Sequence, residues 1–251
     1  MIDAAPVGFR EANELRYKTI GTALAINFQK LPVPLFNRVI GLTDVTQELI
    51  REIKEFYTCT EKYLIHCSDG MMPTGTEELL RTNGYGPGGK WDRVVRDNQP
   101  VRKDEGQPIS VMQVDEHNAG KWTRFLCDTY GFTFYEWPLA FAGRAGWRHY
   151  MAGRDDKIIA CRSFYMTPEK TVFSGVDAPV PGVMTSDCRG DFAIWHRAIS
   201  DCLADGAKLF VADIELPDKI TNPDAYEGFR QLGFEIPYTR VHYSQIRGWQ
   251  K

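Results

Sequence analysis

Several features that would assign this chain to a specialised class of protein are missing from its 251 residues. Its formal net charge is −3, so it lacks the basic excess typical of nucleic-acid binding. No apolar run reaches the length of a membrane-spanning helix. The first residues, M-I-D-A-A-P-V-G-F-R-E, resemble neither a signal peptide nor an Arg-rich transit peptide. These absences predict a cytoplasmic protein that binds neither nucleic acid nor a membrane.

The six cysteines show no arrangement that indicates a special chemistry. They stand at positions 59, 67, 127, 161, 188 and 202 without a C-x-x-C pair, and no histidine pair has the spacing of a zinc site. We therefore expect buried or incidental thiols, no disulfide framework and no metal. The sequence also lacks the G-x-S-x-G, H-E-x-x-H and P-loop motifs.

What the chain does contain is the composition of a globular protein with a core. Hydrophobic residues make up 43% of it and charged residues 25%. Its length allows one large domain or two smaller ones.

Two stretches share one order of predicted elements, which is helix, strand, helix, Gly-aromatic stop, strand. In the first stretch these elements cover residues 46–57, 62–67, 75–82 and 90–96. In the second they cover residues 191–203, 209–214, 224–232 and 238–243. Asp44 and Gln47 are predicted to form a capping box before the first helix. β-rich sequence precedes each stretch, and the polar residues 98–108 separate the halves. The repeat predicts two domains, residues 1–105 and 106–251.

The most specific pattern lies within residues 222–234, N-P-D-A-Y-E-G-F-R-Q-L-G-F. It consists of a helix cap, two positions on one helix face and a Gly-aromatic stop: Asn222, Ala225, Phe229, Gly233 and Phe234. The spacing predicts a helix that starts at the proline after the cap and ends at the glycine.

This strand, helix, Gly-Phe, strand order resembles the end of the GNAT (GCN5-related N-acetyltransferase) fold, whose members usually read N-x-x-A-x-x-x-Y-x-x-x-G-F there. The resemblance is specific in the C-terminal part of the chain, and the internal repeat extends it over most of the rest. It implies an α/β (α+β) fold of two tandem GNAT-like domains. Each would have a mixed, mostly antiparallel central sheet flanked by helices.

The resemblance also implies an acyl-CoA site in the C-terminal domain. In the family, backbone N–H groups at a strand-to-helix loop hold the CoA diphosphate. The matching region here is residues 182–195, where Arg189 and Gly190 match the family's Arg-Gly pair but Phe192 and Ile194 replace small residues. The residues implied to contact acetyl-CoA or another acyl-CoA are Val183, Thr185, Arg189, Gly190, Asn222 and Phe229. The first half has no Arg and one Gly at the corresponding place, so we expect no CoA site there.

By the same resemblance, a backbone N–H on a splayed fourth strand polarises the thioester carbonyl. That strand is expected to run from residue 171 to residue 185, which makes Val183 and Met184 the candidates. The family's general-acid tyrosine is replaced by Phe229. Tyr226, about 60° round the helix, is the candidate substitute.

Asp177 is the candidate general base, and Asp213, Glu215 and His149 are further candidates. The predicted reaction is N-acylation, most simply acetylation, of a small amine. Two alternatives stay open: a catalytically degenerate acyl-CoA-binding or regulatory protein, and another reaction of an acyl thioester, such as hydrolysis. A homodimer is also left open.

Overall fold

The computed structural model describes residues 2–31, 33–60, 62–101, 109–180, 188–216 and 223–246. Its helices are α1 (Val7–Ala12), α2 (Gln47–Phe56), α3 (Thr76–Thr82), α4 (Ala119–Tyr130), α5 (Glu136–Leu139), α6 (Arg189–Ala204) and α7 (Pro223–Gln231). Its strands are β1 (Leu15–Ile20), β2 (Ala23–Phe28), β3 (Arg38–Ile40), β4 (Leu64–Ser68), β5 (Tyr85–Arg96), β6 (Ser110–Gln113), β7 (Trp147–Arg154), β8 (Lys157–Met166), β9 (Thr171–Ala178), β10 (Leu209–Leu216) and β11 (Glu235–Gln245). Within those ranges, no helix has the length and apolar character needed to cross a membrane.

The described residues divide into two compact units. The N-terminal unit contains residues 6–92, 215–216 and 238–246, and the C-terminal unit contains residues 2–5, 93–214 and 223–237. Strands β5, β10 and β11 therefore each contribute residues to both units. The two domains predicted from the sequence, residues 1–105 and 106–251, are linear halves and stay a prediction.

Each unit contains a mixed, mostly antiparallel sheet flanked by helices, as the sequence predicts. The strand order is β1-β2-β3-β4-β11-β5 in the N-terminal unit and β5-β10-β9-β8-β7-β6 in the C-terminal unit. In both, one long helix connects two adjacent parallel strands: α2 connects β3 to β4, and α6 connects β9 to β10. The helix and strand that open each predicted repeat therefore correspond to the helix and second strand of a crossover connection between parallel strands.

Helix α2 shows how the sequence sets an element. Its residues Ile50 and Ile53 are fully buried against the sheet of the N-terminal unit. Thr46 caps the helix by accepting a hydrogen bond from the Leu49 N–H at 3.2 Å. The predicted capping box of Asp44 and Gln47 is therefore wrong.

The core of the C-terminal unit is built around α6 and α7. Trp195 and Ile199 on α6 are fully buried, and Phe229 and Ala225 on α7 join the same cluster as Phe210 of β10. Both helices thus pack on β10, the strand that follows the β9–α6–β10 crossover. The same cluster joins Trp195 of α6 to Phe164 of β8 and Val172 of β9.

Candidate active site

Strands β9 and β10 separate partway along their length. They pair in parallel over three residue pairs, the last of which joins Phe173 to Val211. Both strands then continue, β9 to Ala178 and β10 through Ile214 of the same unit. Within the described residues, positions 174–178 of β9 form no ladder with β10. We call the region where the two strands run unpaired the β9–β10 gap.

β9 has a bulge at the point where it leaves β10. Asp177 lies opposite Arg162 of β8, whereas Ser174 lies opposite the residue two positions further along β8. Three steps on β9 match two steps on β8, so β9 contains one extra residue between Ser174 and Asp177. Gly175 and Val176 lie inside this bulge. A bulge bends its strand and ends regular pairing, and bulges are frequent next to active sites.

A buried cation holds the strand around the bulge. Arg162 is 4% exposed, and its Nε and Nη2 donate to the two carboxylate oxygens of Asp191 at 2.6 and 3.1 Å. Its Nη1 donates to Ser174 Oγ at 2.6 Å, and Nη2 also donates to Asp177 Oδ2 at 2.5 Å. Burial opposes the charge, but the two carboxylates outweigh it and raise the pKa of Arg162. Asp177, the predicted base, is therefore one member of this cluster, which we call the Arg162 cluster.

Arg189 and Gly190, the predicted diphosphate contacts, begin α6. Arg189 is exposed and Gly190 is buried. An added Cβ at Gly190 would stand 3.0 Å from Ile159 Cγ1 and 3.1 Å from Ala160 Cβ. The glycine thus lets α6 pack closely on β8, a reason that the sequence did not reveal.

The first turn of α6 has the features of an anion site. Its first helical hydrogen bond runs from the Phe192 N–H to the Cys188 carbonyl at 3.0 Å, so the N–H groups of residues 189–191 have no acceptor inside the helix. The carboxylate of Asp191 in this turn is bound by Arg162 and is accompanied by its positive charge. The donors and the exposed Arg189 therefore suit a diphosphate.

Helix α7 ends in the Gly-Phe stop that the sequence predicts. Gly233 has φ +82°, its N–H donates to the Arg230 carbonyl at 3.0 Å, and the Phe234 N–H donates to the Phe229 carbonyl at 2.9 Å. The Phe229 ring is 4% exposed and lies 5.1 Å from Phe234 and 5.4 Å from Trp195, centre to centre. Phe229 is therefore part of an aromatic core cluster.

Tyr226 and Phe229 line a cavity of about 410 Å³ beside α7. The other lining residues are Val94, Ile214, Glu227, Arg230, Phe234 and Ile236. Their side chains come from α7, β5, β10 and β11, and β5 lies on the side of β10 away from β9. Tyr226, the candidate acid, thus lines a cavity distinct from the β9–β10 gap.

Phe192 and Gly228 set the contact between α6 and α7. An added Cβ at Gly228 would overlap the Phe192 ring. The same ring lies edge-on to Phe229 at 6.2 Å. The phenylalanine that replaces a small residue of the family pattern is therefore matched by a glycine on the facing helix.

Two further candidates for the general base, His149 and Asp213, form hydrogen bonds or ion pairs with residues outside the Arg162 cluster. His149 is 2% exposed, with Nδ1 2.8 Å from Ser163 Oγ and Nε2 3.2 Å from the Phe141 carbonyl. Burial lowers the pKa of His149 to about 4. Asp213 forms an ion pair with Arg93 at 3.1 Å. His149 is a neutral core residue, so its interpretation as a candidate base is not favoured by the structure.

Four predicted residues, Val183, Met184, Thr185 and Asn222, lie outside the described residues. β9 ends at Ala178, and the part of the predicted splayed strand that covers residues 181–185 also lies outside the described residues. Glu215 belongs to the N-terminal unit, and burial raises the pKa of its carboxyl despite a hydrogen bond from Trp91.

One residue near the gap was missed from the sequence. The Tyr130 hydroxyl on α4 donates a hydrogen bond to the backbone carbonyl of Asp177. α4 was not predicted, although buried Trp122 and Leu126 are four residues apart and Gly131 ends the helix with φ +68°. That spacing and stop are the signals from which α4 and Tyr130 could have been found.

The chain is similar to solved structures of GCN5-related N-acetyltransferases. One from Kribbella flavida has a TM-score of 0.62 at 14% identity, and the match covers 92% of this chain and 89% of that chain. One from Sphaerobacter thermophilus has a TM-score of 0.62 at 12% identity and covers 90% and 77%. A tandem GNAT protein from the clavulanic acid biosynthesis pathway has a TM-score of 0.51 at 10% identity and covers 88% and 77%.

Neither a protein-family model nor a curated protein matches this chain. At the identities of the structural matches, the likeness shows the fold alone. The chain has the GNAT fold, and both the resemblance and the predicted fold class are confirmed.

Proposed function

We propose that this protein is an acyl-CoA-dependent N-acyltransferase that transfers an acyl group, most simply acetyl, to a small amine. The observation that carries the proposal is the separation of β9 from β10 together with the bulge at Gly175 and Val176. A gap between parallel strands accommodates an extended thioester. A bulge beside it offers main-chain N–H groups to the carbonyl oxygen.

The co-substrate's diphosphate is assigned to the first turn of α6. Arg189 supplies charge-assisted hydrogen bonds to the diphosphate. The N–H groups of residues 189–191 lie at the N-terminus of α6, which is the positive end of the helix dipole. Val183, Thr185 and Asn222 remain proposed contacts of the same ligand. Phe229, also expected to contact the ligand, has its ring in the aromatic core cluster, so we assign it no ligand contact.

Acyl-CoA, when bound, supplies the activated carbonyl carbon and the thiolate leaving group. The protein's task is to stabilise negative charge on the carbonyl oxygen, remove a proton from the amine and protonate the thiolate. We assign the first task to the main chain of the β9 bulge, extending the proposal made for Val183 and Met184. Asp177, which lies at the bulge and is ion-paired with Arg162, stays the proposed base. Tyr226, the acid expected from the sequence, lines a separate cavity, so we assign it no part in protonating the thiolate.

Calorimetric titration with acetyl-CoA tests the proposal. The wild-type protein should bind saturably, and Arg189→Glu should weaken binding at least tenfold, about 1.4 kcal/mol, because it places a negative charge beside the diphosphate. Arg197→Glu is the matched control, since Arg197 is also an exposed arginine of α6 but lies about two turns of helix away from Arg189. Absence of binding by the wild-type protein, or equal losses in both variants, would contradict the proposal.

A protein that binds acyl-CoA without transferring the acyl group is the second candidate. The burial of Phe229 in an aromatic cluster favours it, because the family's proton donor is replaced by a core side chain. Release of free CoA thiol with a panel of small amines distinguishes the two. Transfer predicts amine-dependent thiol release and acylated product, whereas the second candidate predicts binding alone.

A further inference from the structure

The side chains of Ser174 and Asp177 both reach Arg162, although three positions separate them on β9. In a regular strand, residues three positions apart point to opposite faces. Here the extra residue of the bulge brings both to one face, where Arg162 binds them at 2.6 and 2.5 Å. The guanidinium therefore holds β9 on both sides of the bulge.

The same guanidinium also holds the start of α6. Asp191 is 3% exposed and accepts two hydrogen bonds from Arg162. This bidentate geometry fixes the plane of the guanidinium relative to the plane of the carboxylate. The Trp195 ring, 5.2 Å from the guanidinium carbon, adds a third constraint. One buried side chain thus connects the β9 bulge to the helix turn that begins with Arg189.

We infer that Arg162 is a positioning residue, which directs the main-chain N–H groups of the β9 bulge at the thioester carbonyl while the first turn of α6 holds the diphosphate. This inference rests on the proposed function, since the oriented ligand is acyl-CoA. Lysine at this position would keep the charge but lose the fork that reaches three partners at once. Arg162→Lys should therefore impair carbonyl recognition more than CoA binding.

The test compares two ligands that differ only at the carbonyl. Acetyl-CoA and S-ethyl-CoA have the same CoA part and nearly the same acyl size, but S-ethyl-CoA lacks the oxygen. Calorimetry should show that the wild-type protein prefers acetyl-CoA about tenfold, the effect of one well-made hydrogen bond. The carbonyl stretch of [1-¹³C]acetyl-CoA should shift to lower frequency on binding.

Two variants and one control complete the design. Arg162→Lys and the milder Ser174→Ala should each reduce the preference and the infrared shift, with less than a threefold change in affinity for S-ethyl-CoA. Ser174→Ala removes one hydrogen bond only, so it keeps the test valid if Arg162→Lys does not fold. Arg197→Lys should leave both readouts unchanged.

The outcomes are separable. If the wild-type protein binds neither ligand, the proposed function fails and the inference fails with it. If it binds both ligands equally and shows no infrared shift, CoA binding stands but the role of the bulge and of Arg162 is overturned. If the preference and shift persist in both variants, Arg162 serves stability alone and the inference is wrong.

Discussion

At the scale of single residues, the start of α6 packs closely on β8 because position 190 has no side chain. Gly190 is buried against β8, with Ile159 and Ala160 close to where a Cβ would stand. The same turn carries Arg189 outward and Asp191 inward to Arg162. A glycine that looks like a phosphate-loop residue is therefore also a packing residue.

Gly190→Ala should destabilise the protein by about 1–3 kcal/mol, because the methyl group overpacks the α6–β8 contact. Gly120→Ala is the matched control, since Gly120 lies on α4 with nothing within 4 Å of an added Cβ. That change should be neutral or stabilise by up to about 1 kcal/mol. Urea unfolding measures both, and equal effects of the two changes would contradict the packing role of Gly190.

The thiols give a second prediction at this scale. All six cysteines lie in the part of the chain that the structure describes; there, none is joined to another in a disulfide and only Cys59 is exposed. Burial raises the pKa of Cys67 to about 12 and that of Cys202 to about 11, so neither forms the reactive thiolate near neutral pH. A thiol reagent should modify one cysteine quickly in the native protein. Cys59→Ser should remove the fast phase, and fast modification of several thiols would contradict this burial.

At the scale of elements, the contact between α6 and α7 is a ring against a glycine. Phe192 fills the space that a side chain at position 228 would take, and it lies edge-on to Phe229. The two helices meet where the family pattern has a small residue on α6. Phe192 on α6 and Gly228 on α7 thus have complementary sizes at this contact.

A double-mutant cycle tests whether the sizes of Phe192 and Gly228 depend on each other. Gly228→Ala alone should cost about 1–3 kcal/mol of unfolding free energy, because the new methyl group overlaps the Phe192 ring. In a Phe192→Ala background the same change should cost much less, giving a coupling energy of about 1 kcal/mol or more. Denaturant unfolding of the four proteins supplies the numbers, and additive effects would show that the two residues do not constrain each other.

The sequence was most informative where a local rule decides the structure. The Gly-Phe stop of α7 follows from the conformational freedom of Gly233, and it forms as predicted. The partners of Arg162 were not predictable, because β8, the β9 bulge and α6 meet only in the folded chain. The same is true of Gly228, whose partner Phe192 lies on another helix.

At the scale of the whole molecule, buried histidines couple stability to pH in both units. Burial lowers the pKa of His149 in the C-terminal unit to about 4. Burial, with Arg240 and Arg38, lowers the pKa of His242 in the N-terminal unit to about 3. Both values lie below the ordinary 6.5, so the unfolded chain takes up protons first as the pH falls.

The free energy of unfolding should therefore be unaffected by these groups above pH 6.5 and should decrease as the pH falls toward 4. Each histidine contributes a slope of up to about 1.4 kcal/mol per pH unit. Urea unfolding at several pH values between 7 and 4.5 measures the slope, and His242→Gln should reduce it by about half. A stability that is constant over this range would contradict the burial of both imidazoles as neutral groups.

We propose that an acyl thioester binds in the gap between β9 and β10 with its diphosphate on the first turn of α6. A crystal structure of the protein with S-ethyl-CoA is the decisive test. We expect diphosphate oxygens within hydrogen-bond distance of the N–H groups of residues 189–191 and the thioether sulfur beside the β9 bulge. A ligand bound elsewhere, such as in the cavity beside Tyr226, or no bound ligand at saturating concentration, would contradict it.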